Sequence, residues 1–361
     1  MNEPVRQLPG WRIAAQRSVP GALNDCSLLV PTYCRAKEVV FLLEKVEALG
    51  DVPGEVVIVD SSPGRELEEA ARNWAGDRRI PFDLVYVESP KGLTLQRNVG
   101  IDISTREFIF FLDDDAFPRE GYFRHIHDVF AADAGGKIGA VGGCIINEIA
   151  KPISRRWQWR LRLGLVPQSV QPYQFHDCGS SVPSGLLQPF HGTRPVDVVQ
   201  GGASAFRREV FREMRFSEFF YGYAYGEDVE MSLRVKSRWQ VMFSGDARCE
   251  HHPAPGGRPA SYAKGRMEVR NRYFIWKRHR PGASMANRFR FYGDLGYLFF
   301  WDMAWFAVRP WRLHFASHGL GVAAGALECL VNPPRYEEPA AKPMFALRPA
   351  GAIPEAAALA R

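Results

Sequence analysis

The stretch Glu107-Phe108-Ile109-Phe110-Phe111-Leu112-Asp113-Asp114-Asp115 decides how this chain is read. An unbroken apolar run passes directly into three carboxylates. Apolar residues without alternation suit a strand buried on both faces, as in a parallel sheet. In open α/β sheets, ligands bind beyond the carboxyl ends of the strands, so the three Asp would emerge at the rim of a crevice. Neighbouring carboxylates repel one another unless a cation sits between them. Hard cations such as Mg2+ and Mn2+ take oxygen ligands, often carboxylates together with substrate phosphates. The plainer alternative is a polar loop that caps the next helix, since Asp is common there.

Working outward, residues 26–30 form a short apolar strand, expected to stop at Pro31 because Pro cannot continue a central ladder. A helix follows over 36–49, with Val39, Leu42, Leu43 and Val46 on one face. Strands are predicted at 55–59 and 82–87, a charged helix lies between them, and a helix carrying Gln96, Arg97 and Asn98 precedes the opening stretch. The alternation calls for a doubly wound, mostly parallel sheet with right-handed crossovers. Every strand ends in polar residues: Thr32 and Arg35, Asp60, Lys91 with Arg97, Asp113 with Asp115. All would lie on one rim. No G-x-G-x-x-G follows the first strand and no G-x-x-x-x-G-K-[ST] occurs, which argues against the usual dinucleotide fold and a P-loop enzyme.

A strand at 138–146 is followed by an irregular stretch, 147–195, with a basic aromatic patch at Arg155, Arg156, Trp157, Trp159 and Arg160. So long an insertion is expected to be a lid or binding loop, or else a surface excursion. Order returns at 197–204, where Gly201 and Gly202 allow close backbone approach to a ligand. Glu227 and Asp228 open a helix, where the dipole favours carboxylates; capping alone is the alternative. A strand at 239–243 and residues 247–250 lead to His251 and His252, either of which suits a metal.

The totals bound the class. With 46 Lys+Arg against 40 Asp+Glu the chain is mildly basic, and six scattered Cys make no disulfide framework. Residues 1–24 hold no apolar signal core, so a cytoplasmic location is expected. No apolar stretch is long enough for a spanning helix. From 258 to 290 the only acid is Glu268, against Arg258, Lys264, Arg266, Arg270, Arg272, Lys277, Arg278, Arg280, Arg288 and Arg290. A Trp- and Phe-rich run at 295–308 follows. Together they suit a peripheral position on an anionic membrane surface, the alternative being a buried helix beside a solvated basic one. The expected divisions are a leader at 1–25, a catalytic domain at 26–255, a helical basic region at 256–332 and a loose tail at 333–361.

The ordered set Leu29-Val30-Pro31-Thr32-Tyr33-Cys34-Arg35, Val57-Ile58-Val59-Asp60, Gly92 through Arg97-Asn98, Leu112-Asp113-Asp114-Asp115 and Gly226-Glu227-Asp228 resembles family 2 glycosyltransferases of the A-type nucleotide-sugar-dependent fold. The resemblance covers about residues 26–255. It implies that Pro31, Thr32 and Arg35 line a nucleotide pocket, and that Asp60 accepts a hydrogen bond from the base. Lys91, Arg97 and Asn98 would lie near the base, ribose or diphosphate, with Gly202 facing the sugar or acceptor. Asp113 and Asp115 would form the D-x-D pair on ribose and metal, with Asp114 assigned to the donor. His251 would complete a Mn2+ or Mg2+ site, and His252 is the weaker choice. Asp228 matches the catalytic base, Glu227 its neighbour. Ser61-Ser62 departs from the family's acidic or Gly-rich turn, which leaves the base open among UDP-, GDP- and dTDP-linked donors.

The implied activity is inverting transfer to a glycan or lipid-linked acceptor, in cell-envelope or extracellular glycan synthesis. Two alternatives stand beside it. A nucleotidyltransferase would more naturally carry a Gly-rich loop after its first strand. A non-catalytic nucleotide- or nucleic-acid-binding module would leave the ordered carboxylates unexplained. No nucleic-acid partner is expected.

Overall fold

The computed structural model describes residues 5–76, 78–149, 152–168, 171–181, 188–253, 259–337 and 342–348. Arg258 and parts of the expected leader, lid and tail lie outside the described residues. In chain order the elements begin with β1 (Arg6–Leu8), β2 (Gly10–Ile13), β3 (Leu23–Thr32), α1 (Ala36–Glu47), β4 (Pro53–Asp60), α2 (Glu66–Gly76), β5 (Asp83–Glu88) and α3 (Leu93–Ile103). Next come β6 (Phe108–Leu112), β7 (Ala116–Pro118), α4 (Tyr122–Ala131), β8 (Ile138–Ile145), α5 (Ile146–Ile149) and α6 (Arg155–Arg162). The rest are β9 (Thr193–Pro195), β10 (Ala203–Arg207), α7 (Val210–Glu213), α8 (Glu227–Lys236), β11 (Gln240–His251), α9 (Ser261–His279), α10 (Met285–Val308), α11 (Leu313–Val331) and β12 (Phe345–Leu347).

One sheet runs β2-β5-β4-β3-β6-β10-β8-β11-β7, with β9 against β11. Strands β5, β4, β3 and β6 are parallel, as are β8 and β11. The exception at the centre is β10, antiparallel to both β6 and β8. The unbroken apolar run of β6 has a simple cause. Phe108, Phe110 and Leu112 pack with α1, α2 and α4, while Ile109 and Phe111 pack on the other face with α3, α7 and α8. A strand covered on both sides has no polar face to show.

Several expectations are corrected here. The first strand does not stop before Pro31: β3 continues, pairing Pro31 with Val59 and Thr32 with Asp60. Its pairing with β6 ends at Leu29 and Phe111, so near Pro31 the strand has one neighbour and a missing N–H is tolerated. The leader is not loose throughout, because β2 adds to the sheet beside β5. Nor is the tail, because β12 pairs in parallel with β1 and Phe345 is buried against the core. The insertion holds a real helix. Ser154 caps α6 by accepting from the Trp157 N–H, and Trp157 is buried.

Helices α9, α10 and α11 form a layer around Val269, Trp276, Phe291, Leu295, Leu298 and Val322. Here α9 and α11 touch backbone to backbone. A Cβ on Gly265 would overlap the His318 carbonyl, one on Gly321 the Tyr262 carbonyl, and one on Gly325 would lie 2.7 Å from the Arg266 carbonyl. Part of the basic stretch is paired within the protein, while Lys264, Lys277, Arg288 and Arg290 are exposed. Arg272 reaches Asp294 at 2.6 Å, Arg278 reaches Glu230 at 2.9 Å, Arg266 reaches Glu328 at 2.7 Å and Arg280 reaches Asp177 at 2.7 Å. Among the described residues, no helix is long and apolar enough to cross a membrane.

Candidate active site

The carboxyl ends of β3, β4 and β6 open onto a cavity of about 1040 Å³. Pro31, Thr32, Arg35, Lys91, Arg97, Asp113, Asp114, Asp115, Gly202, Glu227, Asp228 and His251 all line it. Asp60 and Asn98 do not, and each has a structural reason. Asp60 is buried at the end of β4, with Oδ1 accepting from the Ser62 N–H and hydroxyl and Oδ2 from the Tyr86 hydroxyl. Its neighbour Ser61 reaches the cavity instead. Asn98 spends its amide on Phe216, donating to the carbonyl at 2.9 Å and accepting from the N–H at 3.0 Å. It therefore pins the loop after α7 to α3.

Each Asp of the β6 terminus has a different environment. Asp114 points back under the sheet edge, accepting from Thr32 Oγ1 at 2.7 Å and Arg35 Nη1 at 2.5 Å. Burial pushes its carboxyl up to about 6 in spite of those donors. Asp115 Oδ2 accepts from Arg35 Nη1 at 3.1 Å, and its Oδ1 lies 3.2 Å from His251 Nε2. Asp113 faces the cavity with Arg97 Nη2 at 3.7 Å. Its carboxyl is raised, first by desolvation and then by Asp115 and Asp228, against the pull of Arg97 and His251.

The ligand atoms of Asp113, Asp115 and His251 all lie within 4.8 Å of one another. Two carboxylates and an imidazole suit a divalent cation such as Mn2+. Behind His251, Glu148 Oε1 meets Nδ1 at 2.9 Å, the carboxylate–histidine arrangement that orients an imidazole ligand. Hydrogen bonds to Asp115 and Glu148 raise His251 to about 10, so an imidazolium supplies positive charge there, and a metal taking the site would displace its proton. His252 lies outside this group, on Glu250 at 2.9 Å. That settles which histidine of the pair belongs to the cavity.

On the facing wall, α8 begins with two acids in unlike roles. Glu227 is buried and accepts from Arg97 Nη1 at 2.6 Å. Desolvation and Asp228 push it up to about 8, with Arg97 pulling the other way. Asp228 is only half-buried, held by the N–H groups of Gly201 at 3.2 Å and Val229 at 2.8 Å. The paired glycines join the two walls. A Cβ on Gly201 would lie 2.7 Å from Arg97 Nη1, and one on Gly202 would overlap the Asp113 carboxylate. Close approach is thus required by the site's own side chains.

Two residues of the site, Glu148 and Gln96, were given no role by the sequence. Glu148 sits on a single helical turn in the insertion, and nothing in its surroundings along the chain marks its partner His251. Gln96 donates to the Thr32 and Val59 carbonyls at 2.8 and 2.9 Å, tying α3 to the ends of β3 and β4. The far part of the cavity is built from Trp157, Arg160, Tyr221, Tyr223, Tyr225, Glu268 and Arg272. Trp157 and Arg160 come from the insertion expected to be a lid or binding loop, the three tyrosines from the loop before α8, and Glu268 and Arg272 from α9.

A cavity at the carboxyl ends of a mostly parallel sheet, with a D-x-D terminus on one wall and a helix-opening acid on the other, defines an A-type glycosyltransferase fold. The chain belongs to glycosyltransferase family 2: the family model described as "Glycosyl transferase family 2" matches residues 27–215. An uncharacterized glycosyltransferase of Haemophilus influenzae is 34% identical over 90 residues, which is 25% of this chain and 29% of that protein. The chain thus matches less than a third of that relative's length. Among solved structures, a mannosyltransferase from Pyrobaculum calidifontis in complex with GDP-Man and Mn2+ has a TM-score of 0.50 at 17% identity, covering 92% of each chain. GalNAc-T7 with UDP, GalNAc and Mn2+ also has a TM-score of 0.50, at 16% identity, covering 69% of this chain and 47% of that one. These likenesses show the fold.

Proposed function

We propose that the protein is an inverting, metal-dependent glycosyltransferase that moves a sugar from a UDP-, GDP- or dTDP-linked donor to a hydroxyl acceptor. The observation that carries this reading is the pairing, across one cavity, of the Asp113–Asp115–His251 group with the half-buried Asp228. Asp113, Asp115 and His251 would hold Mn2+ or Mg2+. When bound, the cation would neutralise charge growing on the departing diphosphate. Pro31, Thr32, Arg35, Lys91 and Gly202 hold the donor, Lys91 from a place over the Tyr33 ring at 3.8 Å. Asp228 takes the proton of the incoming hydroxyl as its oxygen attacks the anomeric carbon, and a single displacement inverts that centre. Asp228 is preferred to Glu227 because Glu227 is buried and committed to Arg97. Holding donor and acceptor in line supplies much of the rate.

The complexes named above, with GDP-Man or UDP and Mn2+, support a nucleotide-sugar donor and a metal. The aromatic far end of the cavity supports a sugar-bearing acceptor, here proposed as a glycan or lipid-linked glycan of the cell envelope. A cytoplasmic protein, peripheral at the membrane face, is part of the proposal. Calorimetric titration of UDP, GDP and dTDP, each with and without Mn2+, tests the donor site on the protein and on its Asp113→Ala, Asp115→Ala variant. Metal-dependent binding of one nucleotide, lost in the variant, is expected. Folded protein that binds none of them with metal present would overturn the reading.

A further inference from the structure

Most of the large apolar side chains left exposed are carried by α10, α11 and the turn between them. At that turn Val308, Trp311 and Leu313 are 67, 74 and 69% exposed. Along the outer side of α11 run Leu313, Leu320, Ala323, Leu327, Leu330 and Val331, an exposed stripe at helical spacing that contains no charge. On α10, Phe289, Phe300, Ala304 and Ala307 lie opposite buried Asp302 and are also exposed. Monomeric soluble proteins rarely leave apolar surface this continuous without a partner for it.

The charges of the same segment are sorted. Its acids are Asp294, Asp302 and Glu328, and all three are paired within the protein. Asp294 meets Arg160 and Arg272, Asp302 meets His318 at 2.6 Å, and Glu328 meets Arg266 at 2.7 Å. The basic residues Arg288, Arg290, Arg309 and Arg312 alternate with the exposed apolar ones and have no carboxylate among these three to meet. Arg309 instead lies over the Trp305 ring at 4.9 Å. Apolar side chains flanked by Trp and Arg, with every acid withdrawn, match the boundary between acyl chains and anionic phosphates. A second copy fits less well. A two-fold contact through this patch would set Arg309 and Arg312 close to their own equivalents with no carboxylate between them.

We propose that the α10–α11 hairpin docks in the plane of an anionic lipid bilayer, with Val308, Trp311, Leu313 and the outer stripe of α11 in the acyl boundary and Arg309 and Arg312 at the phosphates. This deepens the peripheral placement proposed above, which joined the basic stretch at 258–290 to the aromatic run at 295–308, and extends the contact to α11. It rests on no part of the transfer chemistry. Docking also places the cavity near the surface, because α9 carries the cavity residues Glu268 and Arg272 and packs on α11 along another side.

Cosedimentation of the full chain with phosphatidylglycerol vesicles, against phosphatidylcholine vesicles, tests this. Binding to the anionic vesicles is expected to be tenfold or more tighter and to fall with salt. Val308→Glu with Trp311→Glu should abolish it. Arg309→Glu with Arg312→Glu should weaken it by at least about tenfold. Circular dichroism and Mn2+-dependent nucleotide titration on the same samples report folding and the donor site separately. Folded protein that ignores anionic vesicles overturns the proposal. So does a dimer in light scattering that Trp311→Glu splits while vesicles are not bound.

Discussion

Along the cavity rim, Asp114 and Asp115 meet Arg35, Asp113 and Glu227 meet Arg97, and Asp115 also meets His251, while Asp228 is held by backbone N–H groups. Farther along α8 and in the helical layer the balance is reversed. Glu230 alone is held by Arg234, Arg278 and His279, Asp294 by Arg160 and Arg272, and Glu268 by His318 and Arg156. The carboxyl groups respond in opposite directions. Burial raises Asp113, takes Asp114 to about 6 and Glu227 to about 8. There, cations and hydrogen bonds outweigh desolvation and hold Glu230 and Glu268 down to about 2, with Asp294 also lowered. Both regions bury acids. One raises them, so that a ligand or cation can lower them again; the other pairs them with several cations and uses them as scaffold.

The sharpest way to break that contrast is Asp228→Asn. Loss of a general base should lower kcat by about two to four orders of magnitude while the melting temperature stays within a few degrees. A variant that unfolds instead would put Asp228 with the scaffold acids. Next in size is Asp294→Ala, which leaves Arg160 and Arg272 buried without their counter-ion. Urea unfolding should show a loss of about 3–5 kcal/mol. A loss under about 1 kcal/mol would mean that the two arginines are completed by something other than Asp294.

A smaller effect is the pH profile of stability. Glu230 and Glu268 are depressed from the usual 4.5, so their stabilisation is present above 4.5 and is lost as pH falls toward about 2. His318 is raised from 6.5 to about 9 by Asp302 and Glu268, so its contribution is full below 6.5 and is lost as pH rises through about 9. Melting temperatures across this range should fall on both flanks, and Glu268→Gln should flatten both. The smallest change is expected from Asp113→Asn without metal. Removing an under-compensated charge should leave the melting temperature unchanged or raise it by about a degree or two. A clear drop would show that Asp113 stabilises the fold.

The sequence made the rim readable for a physical reason. Strand ends in a parallel sheet must place their polar tips on one edge, so Thr32, Arg35, Lys91 and Asp113 could be assigned to one crevice from alternation alone. Asp60 and Asn98 show the limit of that logic. They sit in the right segments, but neither lines the cavity, and their hydrogen bonds go to Ser62, Tyr86 and Phe216. Glu148 and the layer's ion pairs were unreadable for a different reason. Partners such as His251 and Glu148, 103 residues apart, or Arg160 and Asp294, 134 apart, are separated by several helices and strands, and charge composition does not say which cation faces inward. The same ambiguity joined the α9 arginines, which are engaged within the protein, to the expected lipid contact.

The glycines between α9 and α11 have a mechanical consequence. With Gly265, Gly321 and Gly325 letting the two backbones touch, no layer of side chains lies between them to slide or re-pack. The hairpin is therefore fastened to the cavity wall like a bracket rather than hung from it like a tether. Whatever angle α11 adopts against a surface is passed to α9, and so to the opening through which an acceptor must enter.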